Sequence, residues 1–181
     1  MSKFENEMDE LMSSTIRMCN LADEMISKAI LALENNDVKL ADEVIHLFDH
    51  VDRYDVMIEK ESFRILTLYQ PLVSDMRTIA ACLKCITYLE RIAKYSRNIA
   101  EAAIYLSDRG EYPVKKLLGP MGEKAIEMVS ISTKAFENRS MEGIDTIVDL
   151  DDFLDKGMKN SLEEIVEFMR TCPDSVDVCT Y

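Results

Sequence analysis

The sequence predicts an all-α protein of long helices, and two observations carry that prediction. Glycine and proline together supply nine of the 181 residues, about 5% against roughly 12% in an average chain, and no glycine occurs before Gly110. A β-sandwich or barrel needs a turn signal about every 8–12 residues, and too few breakers are present to supply them. The second observation is periodic. Apolar residues recur at steps of three and four along most of the chain, the spacing that places them on one side of a helix.

Segment one runs from about Phe4 to Asn35. Leu11, Thr15, Met18, Ala22, Met25, Ala29 and Ala32 trace its inner stripe. Asn35-Asn36-Asp37 stops it, and Asp37 suits the N-cap of the next helix, because its carboxylate can accept from free first-turn N–H groups. Segment two runs from Val38 to about Leu68, with Leu40, Val44, Leu47, Val51, Ile58 and Ile65 inward. Asp42, Asp49, Asp52, Asp55 and Glu59 lie on the opposite face. Pro71 ends it, since proline disfavours helix at the preceding residue. Segment three runs from Leu72 to about Asp108. Met76, Ile79, Leu83, Ile86, Ile92, Ile99 and Leu106 are expected inward, with Ser74 capping the first turn and Asp75 favoured there by the helix dipole. At some 30 residues, each helix would be about 45 Å long.

Arg109-Gly110-Glu111-Tyr112-Pro113 is the strongest break. It divides the chain into residues 1–109 and 110–181. The second part repeats the first. Met25-Ile26-Ser27 aligns with Met128-Val129-Ser130, an offset of 103, and Ala32-Leu33-Glu34-Asn35 then falls on Ala135-Phe136-Glu137-Asn138. Asp49 falls on Asp152 and Val51-Asp52 on Leu154-Asp155. After a one-residue slip, Pro71 falls on Pro173 and Asp75 on Asp177. Two similar helical units are therefore expected, from segments at about Val114–Asn138 and Ser140–Arg170. The counterpart of segment three has only about two turns, from Pro173 to Tyr181. An apolar groove is expected along Ile126, Val129, Ile144, Ile147, Leu154 and Ile165, and with it a homodimer, because soluble monomers seldom expose such patches.

A net charge of −13 argues against nucleic acid, whose binders show a basic footprint, and against a bare anionic membrane surface. No apolar run approaches the 18 residues of a membrane span. The five cysteines are odd in number, and Met1–Glu10 is too acidic and polar for a secretory leader, so a reducing cytoplasmic setting is expected. Cys82-Leu83-Lys84-Cys85 has a redox-like spacing but lies inside a helix, where buried thiols are the simpler reading. The twelve methionines sit mostly on apolar stripes and read as core. No nucleophile elbow, metalloprotease helix or kinase signature occurs, so the chain is read as a non-enzyme.

Gln70-Pro71-Leu72-Val73-Ser74-Asp75-Met76-Arg77 resembles the Gln-Pro-x-(Ala/Val)-Ser-Asp-(Leu/Met)-Arg signature of the PhoU family of phosphate-uptake regulators. Leu89-Glu90-Arg91-Ile92 with Asn98-Ile99-Ala100 is similar to the second signature of that family, and the resemblance covers nearly the whole chain. It implies tandem three-helix bundles of antiparallel helices, here with the second lacking most of its third helix. It also implies a cytoplasmic adaptor acting on the phosphate ABC transporter, through its ATPase, or on a sensor kinase. Gln70, Pro71, Asp75, Arg77, Glu90, Arg91 and Asn98 are the contact residues it nominates. Asp75 would receive hydrogen bonds at the helix start, and Arg77 and Arg91 would make charged contacts.

Some members of the family bind iron or other metals through Glu/Asp-x-x-x-Asp on the helix bearing Leu-Glu-Arg-Ile. Here Glu90 is followed four residues later by Lys94, whose ammonium donates and cannot ligate. Glu90 is thus at most a single ligand. Arg91, Lys94 and Arg97 share one helix side. Ion pairs with the acids of segment two are their expected use, and docking of an anion or an acidic partner is the sharper one. His46 and His50, four apart, are candidate surface ligands with Asp42 or Asp49. Glu43-Val44-Ile45-His46 has the Glu-x-x-His spacing of di-iron bundles, but one chain holds only one such motif. The competing functional reading is a carboxylate-rich bundle that binds iron or zinc.

Overall fold

The computed structural model describes residues 2–109 and 113–180, with backbone alone for 113–117. All regular structure there is helical: α1 (Lys3–Asn35), α2 (Val38–Tyr69), α3 (Val73–Leu106), α4 (Pro113–Asn138), α5 (Ile144–Thr171), a 3-10 turn (Pro173–Ser175) and the one-turn α6 (Val176–Cys179). The joint expected at Gly110-Glu111-Tyr112 lies outside the described residues.

The first three helices pack into a bundle. Its core takes the whole expected α1 stripe, all of it buried. From α2 come Ala41, Val44, Val51, Ile58 and Ile65, and from α3 Ile79, Cys82, Ile86, Leu89, Ala93, Ala100 and Ala103. The helix ends follow local chemistry. Ser2 and Glu5 form a capping box at α1, with Ser2 Oγ accepting from the Glu5 N–H at 3.2 Å and Glu5 Oε2 accepting from the Ser2 N–H at 2.7 Å. Asp37 accepts from the Lys39 and Leu40 N–H groups, each at 3.1 Å. Asn36 closes α1 in the left-handed region at φ 55°, and Arg139 does the same after α4 at φ 49°. These two residues are 103 apart, the offset of the repeat.

Two expectations for α3 are corrected. Its N-cap is Leu72, which offers no side-chain acceptor, and Ser74 already lies inside the first turn. Met76 is exposed because α3 begins beyond the end of the packed bundle, and its buried face starts at Ile79.

The second part is a hairpin of α4 and α5, with α4 laid on α1. Pro120 stands inside α4 and forfeits one helical N–H donor there. The α5 helix starts four residues later than expected. Ser140 Oγ instead accepts from the Glu142 N–H at 3.1 Å, and Gly143 turns the chain at φ 81°. Ile126, Val129, Ile144, Ile147, Leu154 and Ile165 are half-buried rather than open. The exposed large apolar residues of α5 are Val148, Phe153, Met158, Leu162 and Val166, each one residue away from a position that faces the packed seam. Val178 of α6 joins the main core.

Candidate functional site

One end of the first bundle gathers the N-terminus of α1, the C-terminus of α2 and the N-terminus of α3. It is tied by charge and by rings. Phe4 and Tyr69 meet at 5.2 Å between centroids and 54° between planes. Arg64 of α2 reaches Glu7 of α1 at 2.6 Å, and its Nε donates to Glu61 at 2.8 Å. Glu61 and then Glu7 hold the Arg64 guanidinium above its ordinary range, and Arg64 in turn holds Glu61 below the usual carboxylate range. Burial first, then Glu7, pushes the Tyr69 phenol up.

This frame presents the Gln70–Arg77 stretch. Gln70 ends α2 in the left-handed region, its N–H donating to the Leu66 carbonyl at 3.3 Å. Pro71 then redirects the chain. Around that turn Leu68, Leu72, Val73 and Met76 are 63%, 79%, 74% and 49% exposed. Apolar side chains that open, clustered within nine residues, are unusual on a soluble surface. Arg77 projects beside them, and Asp75 is half-buried in the first turn. Sequence reasoning nominated Gln70, Pro71, Asp75 and Arg77 but missed the four apolar neighbours. By spacing Leu68 continues the α2 stripe three residues after Ile65, and Leu72 and Val73 precede Met76 by four and three, so the sequence carries no signal that they lie in the open.

Further along α3, the nominated residues separate. Arg91 and Asn98 are exposed and Glu90 half-buried. Arg97 stacks on Phe48 of α2 at 4.5 Å and pairs with Glu101 of its own helix at 3.5 Å. The ion pairs expected between this basic row and the acids of α2 are absent among the described residues. Asp42, Asp49, Asp52 and Glu59 face solvent instead. Asp55 turns inward toward Glu90. Burial pushes its carboxyl up, and Glu59, Glu90 and Asp52 add to that.

The candidate metal ligands do not converge. His46 faces Asp42 at 3.5 Å, and His50 is taken up by Arg53 at 3.2 Å. Among the described residues, no three His, Cys, Asp or Glu side chains are placed to hold an ion. Cys82 is buried and Cys85 half-buried. Burial pushes both thiols up, and pushes Cys19 to about 12. They are protonated at neutral pH, and thiols react as thiolates. Cys19 and Cys85 line an apolar groove of about 370 Å³ with Tyr88, Met128 and Phe136, where α1, α3 and α4 meet.

Comparison with known proteins gives a consistent picture. Residues 15–103 match the model of the PhoU domain family. The phosphate-specific transport system accessory protein PhoU homolog of Aquifex aeolicus is 32% identical over 176 residues, spanning 96% of this chain and 79% of that protein. The homolog of the same name from Clostridium acetobutylicum is 29% identical, over 98% and 81%. The crystal structure of PhoU from Pseudomonas aeruginosa superposes with a TM-score of 0.94 at 27% identity, covering 98% of this chain and 86% of that one. The phosphate transport system regulatory protein PhoU from Streptococcus pneumoniae gives 0.84 at 26% identity, over 94% and 80%.

Proposed function

This chain belongs to the PhoU family, and from that premise we propose that it regulates phosphate transport as a non-enzymatic adaptor. It docks on the ATPase of the phosphate ABC transporter, or on a sensor kinase coupled to it, from the cytoplasm and as a homodimer. No helix among the described residues is long and apolar enough to cross a membrane, so contact with the transporter is a matter of surface docking.

The observation that carries the reading is the open apolar end of the first bundle. Leu72 and Val73 are held in the open by the frame beneath them, where burying them against a partner removes apolar area from water. Arg77 adds a directional charge at the rim. Arg91, exposed and without an ion pair among the described residues, supplies a second basic contact on α3.

The test is phosphate uptake in cells lacking the gene. Uptake is expected to lose its dependence on external phosphate. Wild-type protein should restore it, and a Leu72→Asp/Val73→Asp variant should not. Unchanged uptake in the deletion strain would overturn the proposal. The competing metal-binding reading has the mutual repulsion of Asp55 and Glu90 in its favour and the scattered histidines against it. Stoichiometric iron or zinc retained through chelator washing would favour it.

A further inference from the structure

The outer face between α1 and α2 carries a grouping that stands out in so acidic a chain. Two adjoining hollows, of about 380 and 410 Å³, share Arg17, His50 and Tyr54. Arg53 and Met57 line one, and Asn20 lines the other. Both are open to solvent, with Arg17, Asn20, His50, Arg53 and Met57 exposed and Tyr54 half-buried between them.

The polar groups there are set as donors. Arg53 gives its Nε–H to the Asp49 carbonyl of its own helix at 3.1 Å, and Nη2 lies 3.2 Å from His50 Nδ1. A guanidinium only donates, so Nδ1 accepts, and the neutral imidazole carries its proton on Nε2. Arg53 makes no ion pair among the described residues. Arg17 is fixed by Glu10 at 2.6 Å and by Ser13 and Ser14 at 2.9 Å each. Glu24, the one carboxylate on the hollow walls, is held by Lys28 at 2.8 Å. Arg53, with Nη1 uncommitted, the His50 imidazole and the Tyr54 phenol thus border one hollow, and Arg17, whose Nη1 and Nη2 are taken by Ser13, Ser14 and Glu10, borders it as a fixed positive charge. Guanidinium forks match the spacing of phosphoryl oxygens and bond them in pairs. The Tyr54 ring and Met57 add apolar wall on which an organic group can lie.

We propose that this hollow binds a phosphoryl group, as inorganic phosphate or as a small phosphate monoester. Arg53 is the principal contact, the His50 Nε2–H is a supporting one, and Arg17 contributes its charge. The site is distinct from the apolar bundle end, and its occupancy does not depend on docking there.

The experiment is calorimetric titration of the full chain, in a phosphate-free buffer at fixed ionic strength, with inorganic phosphate, with adenosine monophosphate and with sulfate. Saturable binding of phosphate or of the monophosphate, tighter than that of sulfate, is expected. Tighter binding of the monophosphate would place the organic group on Tyr54 and Met57, and equal binding would mark free phosphate as the ligand. Arg53→Gln should weaken binding at least tenfold. Its contacts lie within its own helix, so an unchanged circular dichroism melt should accompany the loss. Arg109→Gln, three residues beyond the end of α3, should bind as the wild type does. No saturable binding of either phosphate compound, sulfate binding as tightly, or full binding by Arg53→Gln would each overturn the proposal.

Discussion

Arg64 and Asp55 lie on the same helix and contribute to stability with opposite signs. Arg64 holds the Glu61 carboxyl below its ordinary range. That contribution is fully present above the unfolded carboxylate range and is lost as pH falls through the lower folded value. Arg64→Ala should therefore lower the melting temperature at pH 7 modestly, as expected for a pair near solvent, and the difference from wild type should shrink in acid. Asp55 is the reverse case. Burial, with Glu59 and Glu90 added, raises its folded pKa, so its charge opposes folding at neutral pH, and the opposition is relieved as pH falls through the folded value. Asp55→Asn should gain about 0.5 kcal/mol at pH 7, roughly 1–2 °C for a chain of this size. The gain should vanish on acidification. Thermal melts at pH 7 and pH 4 check both variants. These residues also show where sequence reading runs short. The acids of α2 were legible as a row, but only packing shows that Asp55 leaves the row and turns toward Glu90.

At the scale of elements, legibility follows how unambiguous each stripe is. The α1 stripe combines the large Leu11, Met18 and Met25 with the smaller Thr15, Ala22, Ala29 and Ala32 at regular spacing, and every position expected inward is buried. On α3 the buried face runs through Ala93, Ser96, Ala100 and Ala103, small residues that a search for large hydrophobes passes over. Leu83, Ile92 and Ile99 only flank it. The contact of α4 on α1 also rests on small residues. A Cβ on Gly122 would meet three Ile30 atoms at 2.8–2.9 Å, whereas on Gly119 it would meet the mobile end of Glu34. Gly122→Ala should thus destabilise the protein by about 1–3 kcal/mol through overpacking. Gly119→Ala should be neutral or gain up to about 1 kcal/mol from helix propensity, once the Glu34 carboxylate swings aside. Chemical denaturation of the two variants measures the contrast.

At the scale of the whole molecule, the two repeats are unequal in packing. The first bundle closes its core on three sides, while among the described residues α5 contributes only Leu150 and Ser161 to the buried set and displays Val148, Met158 and Leu162. Opening free energy tracks buried contact. Amide hydrogen exchange should therefore be slowest in α1 to α3 and markedly faster in α5, and a partner or second copy seated on α5 would slow it. The repeat itself was legible from aligned blocks, and its left-handed turns at Asn36 and Arg139 match in place. The family was legible chiefly through the Gln70–Arg77 and Leu89–Ile92 motifs. The open apolar surface beside the first motif was not, because it consists of ordinary leucine and valine whose exposure is a property of the bundle end.

That surface is the centre of the account, and affinity measurement tests it most directly. Purified ATPase subunit of the phosphate transporter, titrated with this chain, should bind it. Leu72→Asp/Val73→Asp should weaken binding by at least tenfold while melting like the wild type, because neither residue belongs to the core. Equal binding by that variant, or no binding by the wild type to either the ATPase or a partner kinase, would contradict it.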